Sequence, residues 1–133
     1  MPLFVAVMPP LRLTILPEAL TVCRLAAGDA FPSWLPTHGF LSVTRTSDEL
    51  SVVCAADAVP AGVRCEPGWR ALAVAGPLDF DLTGVLASIA TPLAEAGISI
   101  FAISTFDTDY VLVKADRLGD ATDALRHAGH RFL

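Results

Sequence analysis

The stretch from Gly97 to Val113, Gly-Ile-Ser-Ile-Phe-Ala-Ile-Ser-Thr-Phe-Asp-Thr-Asp-Tyr-Val-Leu-Val, constrains the fold of this chain more than any other, because it reads as two apolar strands joined by a short polar bend. Side chains alternate along a strand, so Ile98, Ile100, Ala102 and Ser104 point one way while Ser99, Phe101 and Ile103 point the other. Bulk on both faces predicts a central strand, covered by helices on one side and by another sheet or subunit on the other. The bend, Ser104 to Asp109, gathers hydroxyls and carboxylates within a few residues. Such a bend is either a solvated turn or one wall of a site for a small polar ligand.

The sequence around the hairpin supplies its neighbours. Trp69 to Ala75 reads as a strand and Gly76 to Asp81 as a loop. Leu82, Val85, Leu86, Ile89 and Leu93 then recur at helical spacing, with Asp79 or Asp81 placed to cap the first turn. Pro92 is expected to kink that helix near its end, and Gly97 to stop it. Beyond the hairpin, Asp116 is expected to cap a second helix whose Leu118, Ala121, Leu125 and Ala128 share one face and which Gly129 ends. His127 and His130, near that helix end, read as surface or capping residues. His130 to Leu133 is a last strand. The order β-α-β-β-α-β lets an antiparallel four-stranded sheet carry two helices on one face, the split βαβ or ferredoxin-like arrangement of the α+β class.

The other face of such a sheet needs a cover, and the first half of the chain is the source to hand. Leu11 to Leu16 and Ala19 to Leu25 read as a hairpin turned by Pro17-Glu18. Asp29 to Gly39 reads as a loop in which Trp34 plugs the core. Phe40 to Thr44 and Leu50 to Cys54 form a second hairpin across a polar bend, and Val63 to Glu66 a short edge strand. A shift of 59 positions (105 minus 46) lays Thr46 on Thr105, Asp48 on Asp107, Val52 on Val111, Ala56 on Ala115, Asp57 on Asp116 and Leu13 on Leu72. Both copies place hydroxyl and carboxylate residues between two apolar strands, which predicts an internal repeat with a degenerate first copy.

Composition excludes several classes of function. Hydrophobic residues are 53% and charged ones 17%, an apolar surplus for so short a soluble chain that points to a face shared with a partner. A net charge of -5 leaves no basic footprint for nucleic acid or an anionic membrane, and it argues against the RNA-recognition modules that share the same element order. The apolar opening from Met1 to Pro10 lacks a basic flank and is broken by prolines, so a cytoplasmic location is expected. Cys23, Cys54 and Cys65 are odd in number and widely spaced, which predicts buried reduced thiols and neither a disulfide framework nor a zinc site. Nucleophile-elbow, zinc-protease, phosphate-loop, dinucleotide and EF-hand spacings are all missing, so no catalysis, cofactor or metal is expected.

Gly76-Pro-Leu-Asp-Phe-Asp-Leu-Thr-Gly-Val-Leu, followed by Leu93-Ala-Glu-Ala-Gly and the hairpin itself, resembles the ACT domain. The chain is similar in organisation to small tandem-ACT proteins and to the paired ACT modules of aspartate kinases and CASTOR-type arginine sensors. That resemblance implies two ACT-like units, residues 1–67 and 68–133, the first lacking a long helix after its first strand. It also implies a regulatory protein that holds a free amino acid at an interface between two ACT units without turning it over, as a homodimer or with a regulated enzyme. The implied ligand residues are Asp79, Phe80, Leu82, Thr83, Gly84, Ile100, Phe101, Ala102, Ile103, Ser104, Thr105 and Asp107. Helix-start N–H groups at Leu82, Thr83 and Gly84 suit an α-carboxylate, and Gly84 allows close approach. Carbonyls of Ile100 to Ile103, with Ser104 and Thr105, suit an α-ammonium. Asp79, Asp107 and Asp109 suit a cationic end, which leans toward lysine or arginine. The same carboxylates also serve as plain N-cap and turn formers. The rival from another class is a ligand-free interaction or scaffold module of the same fold.

Overall fold

A computed structural model describes residues 9–79 and 82–133. The strands are β1 (Arg12–Ile15), β2 (Leu20–Leu25), β3 (Leu41–Arg45), β4 (Leu50–Ala55), β5 (Cys65–Val74), β6 (Ile100–Ser104), β7 (Asp109–Lys114) and β8 (Arg131–Phe132). The helices are α1 (Val85–Glu95) and α2 (Leu118–His127). All eight strands join one sheet, and β5 is its hub. One edge of β5 pairs with β2 and then β1, and the other with β7.

The predicted first hairpin is absent. Leu13 pairs with Val74 and Ile15 with Leu72, and farther along Leu20 pairs with Trp69 and Cys23 with Cys65, so β1 and β2 run in line, antiparallel to the same strand. Between Ile15 and Leu20 the chain advances five residues while β5 advances three, from Leu72 to Trp69. Pro17 and Glu18 therefore form a bulge instead of a reversal. The excursion has a use: Glu18 Oε2 accepts the Phe40 N–H at 2.9 Å and so ties the bulge to the entry of β3. The two short strands expected at Val63 to Glu66 and at Trp69 to Ala75 are likewise one continuous strand, β5.

The hairpin β6–β7 forms as expected, with Ile100 opposite Val113 and Ser104 opposite Asp109. Its first strand is not central, however: among the described residues β6 pairs with β7 alone. Both faces of β6 are nonetheless covered, which explains the two-sided apolar pattern without a second flanking strand. Ile100 packs with Leu72, Val74, Ile89, Leu93, Val111, Val113 and Leu125 in the core between sheet and helices. Phe101 and Ile103 face the other way, onto a core to which the first half contributes Leu20, Val53, Val22 and Phe40. The first half therefore covers the open face. Phe40 meets Tyr110 edge to face at 5.0 Å between ring centres.

The repeat holds over the hairpins: β3, β4 and the short helical turn Ala56–Ala58 lie 59 positions (100 minus 41) before β6, β7 and the turn Ala115–Arg117. The two bends share their bonding as well. Thr46 N–H donates to the Glu49 carbonyl at 2.9 Å, and Thr105 N–H to the Thr108 carbonyl at 2.8 Å. Before the hairpins the shift fails, because Leu20 faces Ala55 where Trp69 faces Lys114, an offset of 49 (69 minus 20). The second copy has ten more residues there, and α1 fills them. In the first copy Trp34 and Leu35 cover Cys23, Val52 and Cys54 in place of a helix.

The expected cap of α2 differs from the structure. Gly84, at φ +82°, is the N-cap residue of α1 and Arg117 that of α2, and neither of these two makes a side-chain cap bond. Asp116 lies instead in the turn Ala115–Arg117, and Asp81 falls outside the described residues. Leu82 and Leu86 are exposed, and α1 buries Val85, Ile89 and Leu93. β8 pairs with β1 in parallel, so β1 is inserted between the first and last strands of the βαββαβ unit.

His130 is buried and not a surface residue. Its Nδ1 accepts the Leu11 N–H at 3.0 Å, and its Nε2 meets the Ser88 carbonyl at 2.9 Å. An amide can only donate and a carbonyl only accept, so the ring is neutral with its proton on Nε2. The reason lies in α1. Ser88 would receive its helical hydrogen bond from residue 92, which is Pro92 and has no N–H. His130 supplies the missing donor and ties α1 to the start of β1.

His130→Ala leaves two buried backbone groups unpaired and is expected to cost about 1–3 kcal/mol in urea unfolding. Adding Pro92→Ala restores a donor to Ser88, so the double variant should recover part of the loss; simple additivity would refute the pairing. A second expectation concerns Cys23, whose thiol is pushed up from 9.0 to about 11, first by burial and then by Cys65. The unfolded thiol ionises near 9.0 and the folded one near 11, so this contribution to stability is complete below pH 9 and is lost as pH rises toward 11. Unfolding midpoints measured across that window should fall more steeply for the native chain than for Cys23→Ala.

Candidate functional site

The loop after β5 is stitched to the β6–β7 bend. Leu78 N–H donates to the Asp107 carbonyl at 2.6 Å, and the Thr108 hydroxyl donates to the Val74 carbonyl at 2.7 Å. Gly76 makes the approach possible, since a Cβ there would stand 3.0 Å from the Asp107 oxygen and 3.1 Å from Thr108 Cβ. Between loop, bend and the start of α1 lies a shallow cavity of about 180 Å³. Leu78, Asp79, Leu82 and Val85 line one side, and the bend residues from Ser104 to Asp109 the other.

Asp79, Leu82, Ser104, Thr105 and Asp107, of the residues expected from the sequence, meet at this cavity. Leu82 N–H already donates to the Asp79 carbonyl at 3.1 Å, whereas the leading N–H groups of α1 have no acceptor within the helix. Thr83 and Gly84 are exposed beside the cavity without lining it, and Phe80 falls outside the described residues. Ile100 belongs to the core beneath the helices. Phe101, Ala102, Ile103 and Ser104 line a separate cleft of about 830 Å³ between the free edge of β6 and the faces of β2, β3 and β4. The cavity at the bend reaches only the last residue of β6. Ser104 is the junction, since it borders both spaces.

Asp109 completes the acidic lining, and its Oδ1 accepts the Ser104 hydroxyl at 2.5 Å. Asp79, Asp107 and Asp109 thus border a cavity whose described lining includes no lysine, arginine or histidine. The site favours a cationic group beside a polar wall and a helix N-terminus. Leu78, Val85, Phe106 and Thr108 also line it but were not expected; a large aromatic inside a polar bend was the available signal for Phe106. Among the described residues no group of three or more His, Cys, Asp or Glu is placed to hold a metal ion, and no helix is long and apolar enough to cross a membrane.

Comparison with known proteins bears on the fold. The ACT-domain family model matches residues 64–127, and a second model, described as an N-terminal domain, matches residues 18–62. Over 59 residues, 44% of this chain, the sequence is 46% identical to the human "Cytosolic arginine sensor for mTORC1 subunit 1" and 42% identical to that of Rattus norvegicus. That match spans only 18% of the length of those relatives. A protein of solved structure from Agobacterium tumefaciens is 44% identical and superposes with a TM-score of 0.89 over 95% of this chain and 94% of its own. The regulatory subunit of aspartate kinase from Thermus thermophilus shares the fold at 14% identity, with a TM-score of 0.61 over 87% of this chain and 96% of its own. With a βαββαβ order running from β5 to β8 and a glycine-dependent loop closing on the hairpin bend, residues 64–127 of the chain are an ACT domain.

Proposed function

We propose that the chain is a cytosolic regulatory sensor that binds a free basic amino acid, arginine before lysine, at the cavity between the loop after β5, the start of α1 and the β6–β7 bend, without catalysis. The carrying observation is the acidic lining by Asp79, Asp107 and Asp109, with no basic residue among the described lining residues. The guanidinium would lie among those carboxylates, where charge-assisted hydrogen bonds are strongest. The α-carboxylate would lie at the first turn of α1, where the helix dipole and unpaired N–H groups favour it. The likeness to proteins named as arginine sensors supports the same ligand. The cavity is small and open on one side, which supports closure by a second ACT unit and hence a homodimer or a complex with a regulated enzyme. In this proposal residues 1–67 and 68–133 act as two ACT-like units.

A thermal-shift screen against the twenty amino acids, followed by calorimetric titration, tests the proposal. Arginine at 100 times its dissociation constant is expected to add about 2.7 kcal/mol of stability. Asp107→Asn and Asp109→Asn should each weaken binding by about tenfold to a hundredfold, as expected when a charged hydrogen-bond partner is lost, while leaving the unliganded midpoint nearly unchanged. Stabilisation by a neutral or acidic amino acid would overturn the assignment of the carboxylates. Absence of any shift at millimolar concentration would favour the ligand-free interaction module. Sedimentation with and without arginine reads the second half of the proposal, with the mass of two chains expected in the liganded state.

A further inference from the structure

The ladder between β2 and β5 sets Cys23 and Cys65 directly opposite one another. Directly opposed residues of an antiparallel pair point to the same face, with Cα atoms about 4.5–5.5 Å apart. That spacing lies within the range of about 4.4–6.8 Å that a disulfide spans. The Cys65 thiol is near enough to Cys23 to help raise its pKa. Their exposures differ: Cys23 is buried, whereas Cys65 is exposed, contrary to the expectation of three buried thiols. Both point to the face that Trp34 and Leu35 cover, opposite Val22 and the cleft beside β6, and the exposure of Cys65 gives a dissolved molecule a route to it. The Cys65 thiol also points its hydrogen at the Val63 carbonyl, 3.3 Å away. Cys54, the third cysteine, is buried and lies opposite Thr21, not opposite another cysteine.

We propose that Cys65 and Cys23 form an oxidation site, closing to an intrachain disulfide when a small-molecule disulfide such as oxidised glutathione reaches the exposed Cys65. Cys65 loses its proton to solvent and its thiolate attacks one glutathione sulfur. The new bond joins Cys65 to that sulfur, and the other glutathione leaves as a thiolate that takes up a proton. Cys23 then loses its proton to solvent and attacks the Cys65 sulfur, and the second glutathione leaves in the same way. Two protein thiols are oxidised, one small disulfide is reduced to two thiols, and no other oxidant takes part. Burial, which holds Cys23 in its thiol form, makes the second step the slower one. The product clamps β2 to β5 and closes a loop that contains β3 and β4.

The experiment uses the purified native chain without denaturant, incubated with oxidised glutathione, quenched with an alkylating reagent and then unfolded for thiol counting and peptide mapping. The chain's three cysteines are expected to yield one free thiol, that of Cys54, with the peptides of Cys23 and Cys65 joined and the mass lowered by two hydrogens. Cys54→Ser should leave no free thiol after the same treatment, and Cys65→Ser should keep both of its thiols. The oxidised native chain should also unfold at a higher temperature than the reduced one. A stable glutathione adduct on Cys65 with Cys23 still free, a bridge that includes Cys54, or links only between chains would each overturn the proposal.

Discussion

Everything in this structure depends on the two-sided pairing of β5. Cys65–Val74 is long enough to bind β2 with its first part and β1 with its last part, while β7 occupies the opposite edge. Its alternation then sends Leu72 and Val74 toward the helices and Trp69 and Ala71 toward the first half. The two cores meet only through this strand and its partners. Loss of its pairing would separate the helical layer, the cover and the hairpin together.

Local signals in the sequence carry the hairpins well. β6 and β7 alternate cleanly, the bend between them is polar, and the first copy repeats both at a fixed distance. The apolar stripe of Val85, Ile89 and Leu93 likewise marks the buried side of α1. What stays hidden is pairing between distant segments. Pro17-Glu18 signals a break in either a hairpin or a bulge, and the choice is made by β5, some fifty residues away. His130 shows the same limit: its partners lie 119 and 42 positions off, and its role arises from a proline in another element.

The candidate site was partly legible for a related reason. Loop, helix start and bend were visible as separate pieces, and their meeting depends on the close approach at Gly76, which no periodicity encodes. The cavity touches only the end of β6, and alternation sends Ile100 and Phe101 farther back into opposite cores. The first copy has the same hydrogen-bonded bend at Thr46 to Glu49 but no helix pointing its N-terminus toward it. Half of the site was duplicated without the other half, so the two bends are alike in backbone and unlike in chemistry.

The free edges at β3 and β6 carry a further consequence. They are repeat counterparts, and neither has a proline; β6 has no charge, and the one charge on β3 is Arg45. If β6 of one copy met β3 of the next, the junction would regenerate itself at every step and the sheet would grow without end, as fibres do. Like-with-like pairing stops at two. Arg45 ties the outer strand to its neighbouring loop: its guanidinium holds the Ala27 and Asp29 carbonyls and lies over the Phe31 ring, which draws the loop in beside β3. A charged residue and a covering loop are among the features by which sheets blunt an edge against such growth.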